Sequence, residues 1–288
     1  MSLSLAGSSL RASRHVAATT VRPAALSASR MHRQTRSVTT PPNYEGHIPL
    51  NWLQTGILTV GSAVMSLADP YRHDMVAALG DLTSGPVLPR LRDHMLASAE
   101  GRAILKQRPR INTTTVDLNK LAQMPEGSFG RAYIQWLERC AVTPDTREPV
   151  HYVDDPELAY VMQRYRESHD FYHCLLNMPV HVEGELAVKA FELANLGLPM
   201  AGLAAVFGPL RLTQAKRERL FRDYVPWALQ CGAAAQSMIT VYWERRWEMQ
   251  LEDMKREFGI WDPPVPMWWR KARPRAPAAE EQSHPASS

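Results

Sequence analysis

The sequence predicts an all-α protein: a single helical domain with irregular segments at both ends. Three observations predict it. Apolar residues recur with a 3.6-residue period from about residue 51 to 258. Proline and glycine interrupt that pattern at Pro70, Gly85, Pro86, Pro125, Gly127, Pro144, Pro179, Pro199, Gly208 and Pro209, where helices are expected to stop and start. Strict alternation of apolar and polar residues, the mark of a half-buried strand, is scarce.

In chain order, residues 1–37 come first. The first 36 hold six arginines (Arg11, Arg14, Arg22, Arg30, Arg33, Arg36) and no acid, and the first acid is Glu45. An Arg-rich, Ser- and Ala-rich, acid-free leader is the composition of a mitochondrial transit peptide, and one is expected here. Taking those six from 33 basic residues leaves 27 against 29 acidic ones, so the remainder is slightly acidic. A broad basic footprint for nucleic acid is therefore absent. Residues 38–50, with Pro41, Pro42 and Pro49, read as a linker.

The helical domain is expected over 51–262. Its period predicts helices at 51–67, 71–80, 88–97, 99–106, 128–141, 155–177, 182–196, 199–208, 212–233 and 235–258. "INTTTVDL" at 111–118 has β-branched residues, but Asn112 and Asp117 suit an extended loop equally. Residues 263–288 follow as a basic, Trp-bearing segment and a tail. "MWWRKARPR" at 267–275 joins two tryptophans to four basic residues, which suits an anionic membrane interface or, equally, a solvated tail with packed tryptophans. "PRAPAAEEQSHPASS" has the composition of disorder.

Several classes drop out. No run of about 18 apolar residues exists, so no membrane-spanning helix is expected. The longest, "TGILTVGSAVMSLA" at 55–68, reads as a buried or surface-lying helix. Cys140, Cys174 and Cys231 are odd in number and form no CxxC, which suits free thiols in a reducing compartment. The common nucleotide loops, GxSxG and HExxH are missing.

The chemistry concentrates at "HDFYH", residues 169–173. Asp154, Asp155 and Pro156 make a good helix start. The stripe expected to face the core is Leu158, Val161, Met162, Tyr165, His169, Tyr172 and Leu176. His169 stands where a leucine would be expected, and His173 stacks one turn further on, about 6 Å along the axis. Asp170 is rotated by about 100° from His169 toward the side to which His173 leans, so the three are expected to converge. "NMP" at 177–179 ends the helix, Gly184 loosens the start of the next, and Glu185 lies beside its buried stripe. Two imidazoles and two carboxylates suit a divalent ion such as zinc or iron. By spacing alone, His181, Glu183 or Glu192 could replace Glu185. Arg164, Arg166 and Glu167 nearby also allow a helix-surface salt-bridge group instead of a metal site.

Longer blocks carry a resemblance. "RHDMVAALGDLTS" (72–84), "GRAILKQRPRI" (101–111), "YVDDPELAYVMQRYRESHDFYH" (152–173), "GLPM" (197–200) and "FGPLRL" (207–212) together resemble the fourth coenzyme Q (ubiquinone) biosynthesis protein family of mitochondria. The resemblance covers about residues 50–262. That family is marked by HDxxH, eleven residues, then Glu. Here the resemblance picks His169, Asp170, His173 and Glu185 as metal ligands. It implies a helical domain that binds prenyl lipid and sits peripherally on the matrix side of the mitochondrial inner membrane. It also implies membership of a complex of coenzyme Q biosynthesis proteins. The implied activity is a carboxy-lyase step, removal of the C1 carboxylate from a 4-hydroxy-3-methoxy-5-polyprenylbenzoate, with zinc as cofactor. Tyr172 and Cys174 stand where Trp and an aliphatic residue are expected.

Direct loss of carbon dioxide would leave an aryl carbanion, so C1 must be protonated first, with the para oxygen pushing electrons into the ring. Asp170 or Glu185 is the expected proton-handling group. An oxidative version that installs a C1 hydroxyl would need oxygen or a redox-active metal. "GLPMAGLAAVFG" (197–208), "FGPLRL" and the 13 methionines are candidate walls for the prenyl tail or ordinary core. The rival readings are a non-catalytic prenyl-lipid-binding scaffold of the complex and a metal phosphohydrolase recruiting His73, His94 or His151.

Overall fold

The structure is a computed structural model and describes residues 41–69 and 72–267. The expected transit peptide, most of the Trp/basic segment and the C-terminal tail lie outside the described residues. Within them the chain is all-α. Among the described residues there are twelve α-helices, and one isolated bridge, Ser128 to Gln250, is the only extended pairing.

Helix α1 (Trp52–Ala68) starts at Asn51, whose side chain accepts from Leu53 N and Gln54 N while Gln54 reaches back to the Asn51 backbone, a capping box. Helices α2 (His73–Thr83), α3 (Leu88–Ala97) and α4 (Ala99–Gln107) follow. Ser98 caps α4 through Gly101 N. A side chain at Gly101 would lie 2.2 Å from the Met95 carbonyl, so only glycine permits this close approach of α4 to α3. Residues 111–117 form a loop, with the Asn112 side chain accepting from Thr114 N and Thr115 N. The short α5 (Leu118–Ala122), capped by Asp117, escapes the periodicity because one turn is too brief to show it.

Helices α6 (Phe129–Cys140), α7 (Pro156–Leu175), α8 (Val182–Leu196) and α9 (Pro199–Phe207) agree with expectation to within a few residues. The expected helix 212–233 is α10 (Gln214–Arg219), a π-helical turn Leu220–Tyr224, and α11 (Val225–Ala234). Pro226 removes a donor and crowds the preceding turn, and the backbone widens so that Val225 N reaches Leu220 O.

The expected helix 235–258 is a correction. Only α12 (Leu251–Phe258) is α-helical, and residues 235–250 run irregularly with short 3₁₀ turns. Met238, Ile239, Val241, Tyr242 and Trp243 are all buried, which one face of a helix cannot achieve. Asn195 substitutes for the lost helical bonds. Its amide donates to the carbonyls of Gly232, Ala235 and Gln236 and accepts from Met238 N at 2.9 Å.

Helix α7 is the axis of the molecule. It was expected to bury one stripe, yet it is buried on every side from Ala159 to Leu175. Phe129, Tyr133, Phe171, Trp243 and Trp247 stack around it with ring centroids as close as 4.8 Å. Its charged residues are not a surface group. Arg164 forks onto Glu244 at 2.6 and 2.9 Å. Arg166 reaches Asp81 at 2.6 Å. Glu167 accepts from Arg110 at 2.7 Å and Ile111 N at 2.8 Å. Each buried charge thus has a partner, the condition under which burial is tolerable. All three cysteines are free.

Candidate metal centre

His169 and His173 lie on α7 with 4% and 0% exposure, and their rings meet at 4.8 Å between centroids. The chain then reverses sharply. Asn177 adopts a left-handed conformation (φ 50°), Met178 N bonds His173 O at 2.9 Å, and α7 ends in a Schellman-type cap. Trp136 from α6 pins this turn by donating to the Met178 carbonyl at 3.0 Å. His181 caps α8 through Gly184 N. A side chain at Gly184 would meet the Pro179 carbonyl at 2.2 Å. Glycine there lets the turn press against the first turn of α8, and Glu185 follows at once.

Glu185 closes a triangle with the histidines. Its Oε2 lies 2.9 Å from His173 Nε2 and its Oε1 3.2 Å from His169 Nε2, and the two Nε2 atoms are 3.1 Å apart. Ligand atoms bound at 2.0–2.1 Å around a tetrahedral ion sit about 3.3 Å from one another. The triangle matches that spacing. These three residues form the one such His/Cys/Asp/Glu group found among the described residues.

The far side of each ring decides which atoms face inward. His173 Nδ1 donates to the Met178 carbonyl at 3.2 Å, and His169 Nδ1 donates to Glu192 Oε1 at 2.5 Å. Both neutral rings therefore turn a bare Nε2 lone pair toward the other and toward a carboxylate. Three electron pairs converge with no hydrogen between them, an arrangement that a cation or a competing proton must relieve. The electrostatics agree. Burial and Lys189 press the His169 pKa down, but Glu192 and Glu185 outweigh them and it moves up. Burial opposes ionisation of Glu185, yet the two histidines, when they carry the competing proton, hold its carboxyl well below the usual range.

Glu192 is the residue that the sequence placed only among possible substitutes for Glu185. It is fully buried and accepts from His169, from Tyr165 Oη at 2.8 Å and from Lys189 Nζ at 2.8 Å. Lys189 also lies 3.6 Å from Glu185. Burial opposes ionisation of Glu192, but Lys189 and His169 bring its pKa down to about 2.

Asp170 does not join the triangle. Its Oδ1 pairs with Arg147, and its Oδ2, like Tyr133 Oη and Arg147 Nε, is buried without a partner. The 100° turn from His169 carries it to a flank that α7 also buries, where the loop before the helix meets it. Glu183 pairs with Arg219 at 2.7 Å. His73 and His94 are exposed, and His151 bonds the Gly46 carbonyl through Nδ1 at 2.7 Å, so none of the three joins the group. Tyr172 and Cys174 are buried beside the ligands.

The sequence profile of the family described as Coenzyme Q (ubiquinone) biosynthesis protein Coq4 matches residues 44–264. The chain is 68% identical over 259 residues to the mitochondrial ubiquinone biosynthesis protein COQ4 of Coprinopsis cinerea, covering 90% of this chain and 89% of that one. It is 66% identical to the corresponding protein of Laccaria bicolor, covering 88% and 85%. Among solved structures, a candidate ubiquinone biosynthesis protein of Nostoc punctiforme aligns with a TM-score of 0.56 over 71% of this chain and 97% of its own. At 20% identity that likeness concerns the fold alone.

Proposed function

The chain belongs to the Coq4 family of coenzyme Q (ubiquinone) biosynthesis proteins, and from that premise we propose that it is the carboxy-lyase acting on C1 of a 4-hydroxy-3-methoxy-5-polyprenylbenzoate. The observation that carries the reading is the triangle of lone pairs from His169, His173 and Glu185. It is preformed, buried on two corners and open on the third, since the Glu185 side chain is 35% exposed. A substrate head group arrives past that carboxylate.

The donor set fits a divalent ion, zinc foremost, which His169, His173 and Glu185 would hold and which supplies Lewis-acid polarisation of the head-group oxygens. The chain's own residues do the rest. Glu185, ionised and next to the opening, accepts a hydrogen bond from a water and aims that water's other proton at C1. Asp170, paired with Arg147, ties the loop before α7 to the flank of the helix that carries the ligands. Carbon dioxide leaves as the ring regains aromaticity. The overall step consumes one proton and exchanges the C1–carboxylate bond for a C1–H bond. The chain does this peripherally at the matrix face of the mitochondrial inner membrane, among other coenzyme Q biosynthesis proteins.

Purified protein incubated with the prenylated hydroxybenzoate tests this. Mass spectrometry should find the decarboxylated phenol, and His169→Ala should abolish it while far-UV dichroism stays unchanged. Absence of turnover with fully metal-loaded wild type would sink the reading. A second reading, a non-catalytic prenyl-lipid scaffold of the complex, is supported by an apolar groove of about 400 Å³ between α1 and α2. It is lined by Leu50, Ile57, Leu58, Gly61, Met65 and Met75 and shares no residue with the triangle.

A further inference from the structure

Helix α1 is inside-out. Its inward side carries the small hydroxyl residues Thr55, Thr59, Ser62 and Ser66, of which Ser62 is fully buried. Those hydroxyls satisfy themselves on α1's own carbonyls: Thr59 on Thr55, Ser62 on Thr59 and Ser66 on Ser62, at 2.7–3.1 Å. The apolar side faces away from the protein. Leu53 is 54% exposed, Val60 66%, Val64 58% and Leu67 43%, and Trp52 at the helix start is 85% exposed. An amphipathic helix against its own core does the reverse. No Asp, Glu, Lys or Arg interrupts its 17 residues, about 25 Å of length.

The apolar surface continues beyond α1. The Arg211 guanidinium donates to the Leu67 carbonyl, which sets the 208–211 turn at the C-terminal end of α1. Leu210 is 69% exposed there, and Val206 on α9, which leads into that turn, is 66% exposed. Exposed apolar side chains gathered at one end of an apolar helix mark an interaction surface. Beside it, residues 211–223 hold five basic residues (Arg211, Lys216, Arg217, Arg219, Arg222) against two acidic ones (Glu218, Asp223), a net of +3.

We propose that the outward side of α1, continued by Val206 and Leu210 and flanked by the basic 211–222 segment, docks flat onto an anionic lipid bilayer surface. The charge selects the occupant. A twofold pairing of two copies through this face would bring two positive flanks into one interface, whereas anionic headgroups neutralise one. Trp52 at the end of an uncharged apolar helix is also the side chain suited to the headgroup boundary. The inference rests on the peripheral localisation proposed above and assigns it a face that the C-terminal Trp/basic segment does not contain.

Flotation of the full chain with phosphatidylcholine vesicles, with and without phosphatidylglycerol, tests it. Val60→Asp/Val64→Asp removes two exposed apolar contacts and should weaken partition to both vesicles roughly tenfold or more. Arg217→Glu/Arg222→Glu should weaken partition to the anionic vesicles by a similar factor and leave the neutral ones unchanged. The sites are exposed, so far-UV dichroism should not move, and the basic leader is common to every variant. Equal binding by wild type and both variants overturns the face and leaves the localisation standing. Wild type that binds neither vesicle overturns the localisation as well. A wild-type dimer that Val60→Asp/Val64→Asp splits, without change in lipid binding, assigns the face to a second copy and overturns the proposal.

Discussion

Glu192 separates holding the fold together from aiming a metal ligand. Its carboxylate accepts from His169, Tyr165 and Lys189, and all four groups are buried. Glu192→Ala leaves the Lys189 ammonium in the interior, with Glu185 at 3.6 Å as its nearest remaining carboxylate. Removing one partner of such a pair costs about 3–5 kcal/mol. In the double variant Glu192→Leu/Lys189→Met both charges are gone and apolar groups fill the space, a change that is often neutral or stabilising. Urea melts should therefore show Glu192→Ala destabilised by about 3–5 kcal/mol and the double variant recovering only part of that loss, because the buried Tyr165 Oη and His169 Nδ1 left without acceptors still cost about 1–3 kcal/mol each. Zinc affinity should behave differently. In both variants His169 Nδ1 loses its acceptor, and loss of such a support weakens metal binding about 10–100-fold. Competition titration with a chromophoric chelator measures this. A double variant that binds zinc as tightly as wild type would refute the assignment of Glu192 to aiming His169. A Glu192→Ala protein as stable as wild type would refute the buried-pair reasoning.

Three further outcomes are expected. Glu192 has its pKa brought from 4.5 to about 2, so its stabilising contribution is complete above 4.5 and is lost as pH falls toward 2. The acid-induced loss, on the order of 3 kcal/mol by linkage, should be smaller in Glu192→Gln when melts at successive pH values are compared. His169 moves the other way, above 6.5, so a proton competes for its Nε2 below the folded value and zinc affinity should rise as pH climbs past it, as isothermal titration would record. Gly184→Ala forces the Pro179 carbonyl away from α8 and displaces Glu185, so zinc affinity should fall while a change elsewhere on the α8 surface leaves it unmoved.

Much of this was legible in the sequence, for reasons that also mark its limits. Proline and glycine bounded α6 to α9 because backbone geometry enforces them locally. The i, i+4 spacing put both imidazoles on one face of α7 for the same local reason. Glu185 was one of several acids by spacing and was singled out only by resemblance, since a turn with a left-handed Asn177 decides which carboxylate arrives. Arg147 meets Asp170 from 23 residues away, and no period records that. The sequence left α1 open between a buried and a surface-lying helix, because apolar content does not say which side faces the core. Residues 235–250 failed because a run of buried residues looks the same whether it is helical or irregular.

The two imidazoles are aimed by different kinds of atom. His169 answers to a side-chain carboxylate, whereas His173 answers to a peptide oxygen that Trp136 also grips. Codon changes can erase the first support at a single position. The second belongs to the main chain and survives any replacement at residue 178 that keeps the bend. His173 is thereby insensitive to substitution at its partner but exposed to insertions or deletions between 176 and 181, so indels in that bend should be far more damaging than point changes of the same residues.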